Sequence, residues 1–318
     1  MSGNNCILAS LCEVLRSYGH SVDEEILFFA NEGFLITYNN PFTDIHNFKL
    51  CHNFWNVFYS FLNKNHIQFT LYTKDHDSNM FIHHIEESIE PIIVLADSKN
   101  ISYHSIFQTL QNRIHTFVVR KAWMDGIEIF DNFIPTVPPS NFHGKISNDN
   151  FIQIINSENF SYLIIDGEKL KNTVNLIGDS FSIDLLRELC IYYISSNNNS
   201  YSNLLFQFCN DFILFPQVFS LNDCIEIANK ISFSINEGII CARKYFINMI
   251  RHFNIRQDII QRFQDCIKTW NNIILMFLKL AWQNNADYFY RIANRIKDLI
   301  KNECELFYSL LQELSKSM

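Results

Sequence analysis

The chain contains no run of eighteen uninterrupted apolar residues, so no membrane-spanning helix is expected. Its opening, MSGNNCILASLCEVL, lacks the basic cluster of a secretion signal, and Glu13 and Arg16 break the apolar positions that follow. Nine cysteines occur without a single CxxC pair. An odd count and no export signal point to reduced thiols in a cytoplasm, most of them small core fillers. There is no GxGxxG, no P-loop and no HExxH, so neither a nucleotide cofactor nor a metal has motif support. Cys51-His52 and His83-His84 come nearest to ligand pairs, but adjacent side chains on one helix or strand do not converge on an ion. Charge is also scarce: 18% of residues are charged against 48% hydrophobic, which excludes a disordered chain.

Positive charge is in deficit overall, at net −8, and no nucleic-acid recognition motif is present, so nucleic acid is not an expected partner. The distribution is uneven. Between Ile239 and Lys301 eleven Lys and Arg face four acids, making that segment +7 and the remainder −15. Basic residues there form either a solvated helix face or a docking surface for an acidic partner. What the chain has in abundance is phenylalanine, thirty of them. AT-rich coding explains this simply; an aromatic-lined pocket is the alternative.

The first half reads as helices followed by strands. Ile7, Leu8, Leu11, Leu15 and Tyr18 recur at helical spacing, and Gly19 is a suitable stop. Ser21-Val-Asp-Glu24 reads as a capping box for a second short helix, and 54–65 as a third. Residues 91–96 are a short apolar run expected as a buried strand. Strands at 115–119 and 127–131 are joined by Met124-Asp-Gly126 as a hairpin, and 162–165 is a further strand. Helices first and an antiparallel sheet afterwards predict an α+β layout. Beyond about residue 171 the strand signal stops, and 181–194, 221–253, 256–282 and 285–314 show helical spacing, punctuated by 197–203 and Pro216. The expected division is a catalytic domain over 1–171 and an all-helical domain over 172–318.

A thiol is a useful nucleophile as thiolate, which a helix N-terminus and an adjacent imidazolium favour. Cys6 stands where the first helix should begin. His115 opens one strand and Asp131 closes its hairpin partner, a register that can set the carboxylate beside the ring and fix its tautomer. The order Cys, His, Asp is that of papain-like cysteine proteases. Asn132 is the neighbouring substitute if Asp131 points away.

The stretch NCILASLCEVLRSYGHSVDEEILFFANEGFLITY, with PIIVLADSKNISYH and IHTFVVRKAWMDGIEIFDNF, resembles the butirosin-biosynthesis protein H family. That resemblance implies a papain-like fold related to bacteriocin leader peptidases, turned to amide formation. It implies transfer of an acyl group from the phosphopantetheine thioester of an acyl or peptidyl carrier protein to an amine, in nonribosomal peptide antibiotic biosynthesis. Cys6 would be the nucleophile, His115 the base and Asp131 its orienter, with no separate cofactor. One departure stands out. Papain-like peptidases place an oxyanion-hole Gln a few residues before the Cys, where this chain has none, so the Cys6 N–H must serve together with Asn4, Asn5 or a later side chain. A diamine acceptor would need a carboxylate, for which Glu32, Asp97 and Asp125 are candidates. A peptidase or amidase with the same triad, and a binding protein that kept the fold without the chemistry, are the alternatives.

Overall fold

The computed structural model describes residues 3–42, 48–73, 78–87, 90–109, 113–136, 138–172, 182–283 and 287–316. The protein is α+β. In chain order it runs α1 (Cys6–Ser17), α2 (Glu24–Ala30), β1 (Ile36–Asn39), β2 (Lys49–His52) and α3 (Phe54–Lys64). Next come β3 (Phe69–Thr73), α4 (Ser78–Glu87), β4 (Ile92–Asp97), β5 (Ile114–Trp123), β6 (Gly126–Ile134) and β7 (Ser140–Ile146). After α5 (Asn148–Ile155), β8 (Ser161–Ile165) and α6 (Gly167–Asn172), every remaining element is a helix. These are α7 (Ile183–Ile194), α8 (Tyr201–Val218), α9 (Leu221–Ser234), α10 (Cys241–Arg251), α11 (Gln257–Gln283) and α12 (Asp287–Lys316), with a π-helical turn, Ile235–Ile240, joining α9 to α10. No described helix is long and apolar enough to cross a membrane.

The chain divides into two units, Met1–Asn31 with Phe54–Ile177 and Glu32–Asn53 with Gly178–Met318. Residues 32–53, expected in the first domain, therefore belong to the second, which is not all-helical: they form the antiparallel β1–β2 hairpin. The reason is packing. Tyr38 donates a 2.7 Å hydrogen bond to Asp211 and, like Phe48, sets its ring against Phe208 of α8. The expected boundary near 172 borders residues 173–181, which lie outside those described.

The first unit is built on a six-stranded antiparallel sheet in the order β3-β8-β4-β5-β6-β7. All six residues of β4 are buried, because this strand is flanked by β8 and β5 and covered on both faces, as its unbroken apolar run implies. The two faces carry separate cores. Val94, Phe117, Val119 and Ile129 pack with Phe81 and Phe107 on one side. Ile93, Val118 and Leu163 pack with Leu11, Val14, Leu15, Phe58 and Phe61 of α1 and α3 on the other. β3 and β7 are edge strands, almost all of their residues half-buried or exposed; neither is among the strands expected from the sequence, although Ile67, Phe69 and Leu71 alternate into β3.

Helix α1 ends as its sequence demands. Gly19, at φ 89°, donates to Arg16 O while His20 donates to Leu15 O, a Schellman motif open to a residue without a Cβ penalty. The predicted capping box at α2 does not form. Asp23 is the N-cap and makes no side-chain cap bond, while Glu24 turns back to accept the Asn4 N–H at 3.0 Å.

In the second unit a cluster of phenylalanines builds the core. Phe212 meets Phe208, Phe215, Phe277 and Phe289 at centroid separations of 4.8–5.6 Å. α8 was not foreseen, because Pro216 read as punctuation; it sits in the helix's last turn, where Phe219 still donates to Phe215 O. α12 buries Ile292, Ile296, Leu299, Glu303, Leu306 and Leu310 along one stripe. The carboxylate in that stripe is paired: Arg243 grips Glu303 through Nε at 3.1 Å and Nη2 at 2.8 Å. Trp270 Nε1 and the Tyr193 hydroxyl also donate to Glu303. Arg243 is thus no part of any basic surface, and exposed Arg256 and Lys268 are paired with Asp258 and Asp265.

Arg243→Met would leave Glu303 buried without its counter-charge. The expected loss is about 3–5 kcal/mol of stability, read from urea unfolding. Arg243→Met combined with Glu303→Leu should recover most of it.

Candidate active site

Asn5 is the N-cap of α1. Its carboxamide oxygen accepts the N–H groups of Ile7 at 3.0 Å and Leu8 at 3.3 Å, which makes Cys6 the first helical residue. The segment leading into it is tied down twice: Gly3 N–H donates to Asn132 O at 2.5 Å, and Asn4 N–H to Glu24. A Cβ at position 3 would lie 2.8 Å from that of Ala9, so glycine is needed for this approach. Cys6 is half-buried; Cys190, Cys209 and Cys266 are more deeply enclosed, and burial pushes those thiols up to about 12.

His115 begins β5 at the end of the sheet away from the Met124–Asp125 turn. By strand alternation it shares the face of Phe117, and its ring lies 4.7 Å from that of Phe107. Its Nε2 is 2.8 Å from Asp131 Oδ2, with both side chains almost wholly buried, at 6% and 1% exposure. The imidazole is also hydrogen-bonded to the Cys6 side chain. With Nε2 committed to Asp131, Nδ1 is the nitrogen left to bond the thiol. Burial is the largest influence on this ring and pushes its pKa down. The charge and hydrogen bond of Asp131, joined by Cys6, outweigh that and carry it up to about 10. The ring is protonated at neutral pH, held between the Asp131 carboxylate and the Cys6 sulfur.

Asp131 uses both oxygens. Oδ2 accepts from His115 and, at 2.8 Å, from the Tyr103 hydroxyl, and Oδ1 accepts the Phe133 N–H at 3.0 Å. Asn132 does not substitute for it. Its side chain points to the opposite face, donating to Glu13 of α1 at 2.8 Å and accepting from His143 at 2.6 Å. Glu13 is itself buried and ion-paired with Arg16 and Arg120.

The sequence-predicted accessory residues fare differently. Asn5 has spent its oxygen on the helix cap and Asn4 its N–H on Glu24, while the Cys6 N–H is not used by that cap. Asp97 is buried and holds Asn159 through both oxygens, at 2.7 and 3.2 Å, so it is no open carboxylate for an amine. Asp125 is exposed at the hairpin tip, paired with Lys145, and eight strand residues at ~3.3 Å each put it roughly 25 Å from His115. Glu32 belongs to the second unit, exposed in a left-handed turn with φ 63°. Among the ligand-like pairs, His52 bonds Gly33 O and Tyr201, His84 bonds the Tyr162 hydroxyl, and His83 pairs with Glu87.

Tyr103 and Glu13 are the participants that sequence reading missed. A tyrosine in a loop and a glutamate inside an apolar helix carry no motif; only the helical wheel, which puts Glu13 near the buried Leu8–Leu11–Leu15 stripe, hinted at the latter. Neither the protein-family models nor the curated proteins contain a match to this chain.

Because the folded His115 titrates near 10 and an unfolded histidine near ~6.5, its contribution to stability is complete below about pH 6.5. That contribution fades as pH rises through about 10. The stability advantage of the wild type over His115→Gln in urea titrations should therefore shrink steadily across this window.

Proposed function

We propose that this chain is a cysteine-nucleophile acyltransferase on a papain-like scaffold, passing an acyl group from a carrier-protein thioester to a small amine to form an amide. The observation that carries the reading is the shared imidazole, bonded through Nε2 to a buried aspartate and by its other side to a thiol at a helix start. A helix packed on an antiparallel sheet, with His and Asp on adjacent strands, supports the papain-like assignment. Transfer to an amine, rather than to water, is supported by the sequence resemblance to the butirosin-biosynthesis protein H family.

In the first step Cys6 Sγ attacks the thioester carbonyl carbon. The bond from that carbon to the phosphopantetheine sulfur breaks, and the departing sulfur takes the proton from His115 Nδ1. The amine then attacks the acyl carbon on Cys6, and neutral Nδ1 accepts its proton. The C–Sγ bond breaks, releasing the amide and restoring thiolate beside imidazolium. Asp131 keeps the ring oriented through both steps without itself taking a proton. The Cys6 N–H at the start of α1, which the Asn5 cap does not use, donates to the developing oxyanion.

With an acyl-pantetheine thioester, intact mass spectrometry should show one acyl increment that maps to Cys6. It should be absent in Cys6→Ala and form about 10²–10⁴-fold more slowly in His115→Ala. Added amine should yield amide in preference to free acid. Free acid alone would reassign the protein as a hydrolase, and no adduct at all would defeat the nucleophile reading.

A further inference from the structure

We propose that Tyr103 is a positioning residue of this site: its hydroxyl holds Asp131 on His115 and withdraws part of the carboxylate's charge from the Cys6–His115 pair. The inference rests on the reading of Cys6 and His115 as the reactive pair and adds a fourth member to their hydrogen-bonded line.

Three observations converge on it. The Tyr103 hydroxyl and His115 Nε2 donate to the same atom, Asp131 Oδ2, each at 2.8 Å, while the other oxygen is fixed by the Phe133 N–H. Two donors on one oxygen divide its charge, so the hydroxyl sets how strongly the carboxylate pulls on the imidazolium. The ring is packed in place: it stacks on Phe142 at 4.8 Å and meets Phe107 and Phe117 edge-on at 5.5 and 6.1 Å. Burial first, and then the charge of Asp131, push the phenol well above its ordinary range, so Tyr103 keeps its proton and remains a donor at every working pH.

The phenol also lies close enough to Cys6 to be influenced by its charge. The titratable groups that act most strongly on this hydroxyl and on the imidazole are the same two, Asp131 of β6 and Cys6 of α1. The other neighbours, Phe107, Phe117 and Phe142, carry no charge. His104, next in the chain, accepts the Ile106 N–H through Nδ1. Removing the hydroxyl therefore leaves the full carboxylate charge facing the pair, which favours the protonated forms of both partners.

The test is the pH profile of Cys6 alkylation by iodoacetamide, followed by peptide mass spectrometry, in wild type, His115→Gln and Tyr103→Phe. In Tyr103→Phe the profile should move to higher pH by about one unit. In an Asp131→Asn background the same substitution should move it far less. A Tyr103→Phe profile that overlays the wild type would overturn the proposal and reduce Tyr103 to core packing, whatever its effect on melting temperature. A wild-type profile unchanged in His115→Gln would instead overturn the reading of the reactive pair itself, and the proposal with it. Should Tyr103→Phe not fold, replacement of Tyr103 by 3-fluorotyrosine keeps the shape and strengthens the donor. The profile should then move to lower pH, and no movement would again refute the role.

Discussion

A β-strand sends successive side chains to opposite faces of its sheet, and the dipeptide Asp131–Asn132 uses both faces at once. Asp131 looks toward His115 and Tyr103, whereas Asn132 looks toward Glu13 on α1. The backbone carbonyl of Asn132 also receives Gly3 N–H, which anchors the segment that delivers Cys6. The imidazole and the sulfur are thus referred to one short piece of β6. Neither depends on a long loop to find the other. A buried carboxylate is costly unless its lone pairs are filled, and three donors fill those of Asp131. Those donors also hold the carboxylate in a single orientation, and with it the imidazole of His115.

The second unit keeps its own buried charges in order by the same logic. Arg243 and Glu303 form a two-pronged pair, and the leftover capacity of each is taken up by Tyr193, Tyr201 and Trp270. The line continues outward through Tyr201 to His52 Nε2, and His52 Nδ1 faces Gly33 O. Burial, followed by the neighbouring guanidinium, pushes His52 down to about 3, so it is neutral there, donating to the carbonyl and accepting from the tyrosine. Burying such a pair adds little net stability over an apolar core of equal volume. Its effect is directional: the line from Glu303 through Arg243 and Tyr201 to His52 ties β2 to these helices.

Legibility in the sequence followed burial pattern. β4, flanked on both sides and covered on both faces, announced itself as an apolar run, and Gly19 marked the end of α1 because only a left-handed residue closes that motif. The edge strands β3 and β7 did not: nearly all their residues are half-buried or exposed, and neither carries a continuous apolar run. The hairpin at 36–52 was assigned to the wrong unit because four-residue strands carry too little periodicity to show what they pack on. Pro216 misled for the opposite reason: a strong local signal, placed in a final turn, costs the helix a single bond and does not end it earlier.

Within the candidate site the same divide holds. Residue type and order along the chain were enough to single out Cys6, His115 and Asp131, because a helix start, a strand start and a hairpin partner are local features. Which imidazole nitrogen Asp131 takes, which carboxylates are already spent, and the presence of Tyr103 and Glu13 were settled only by the tertiary fold. Those facts depend on contacts between residues 16 to 119 positions apart, which periodicity and composition do not encode.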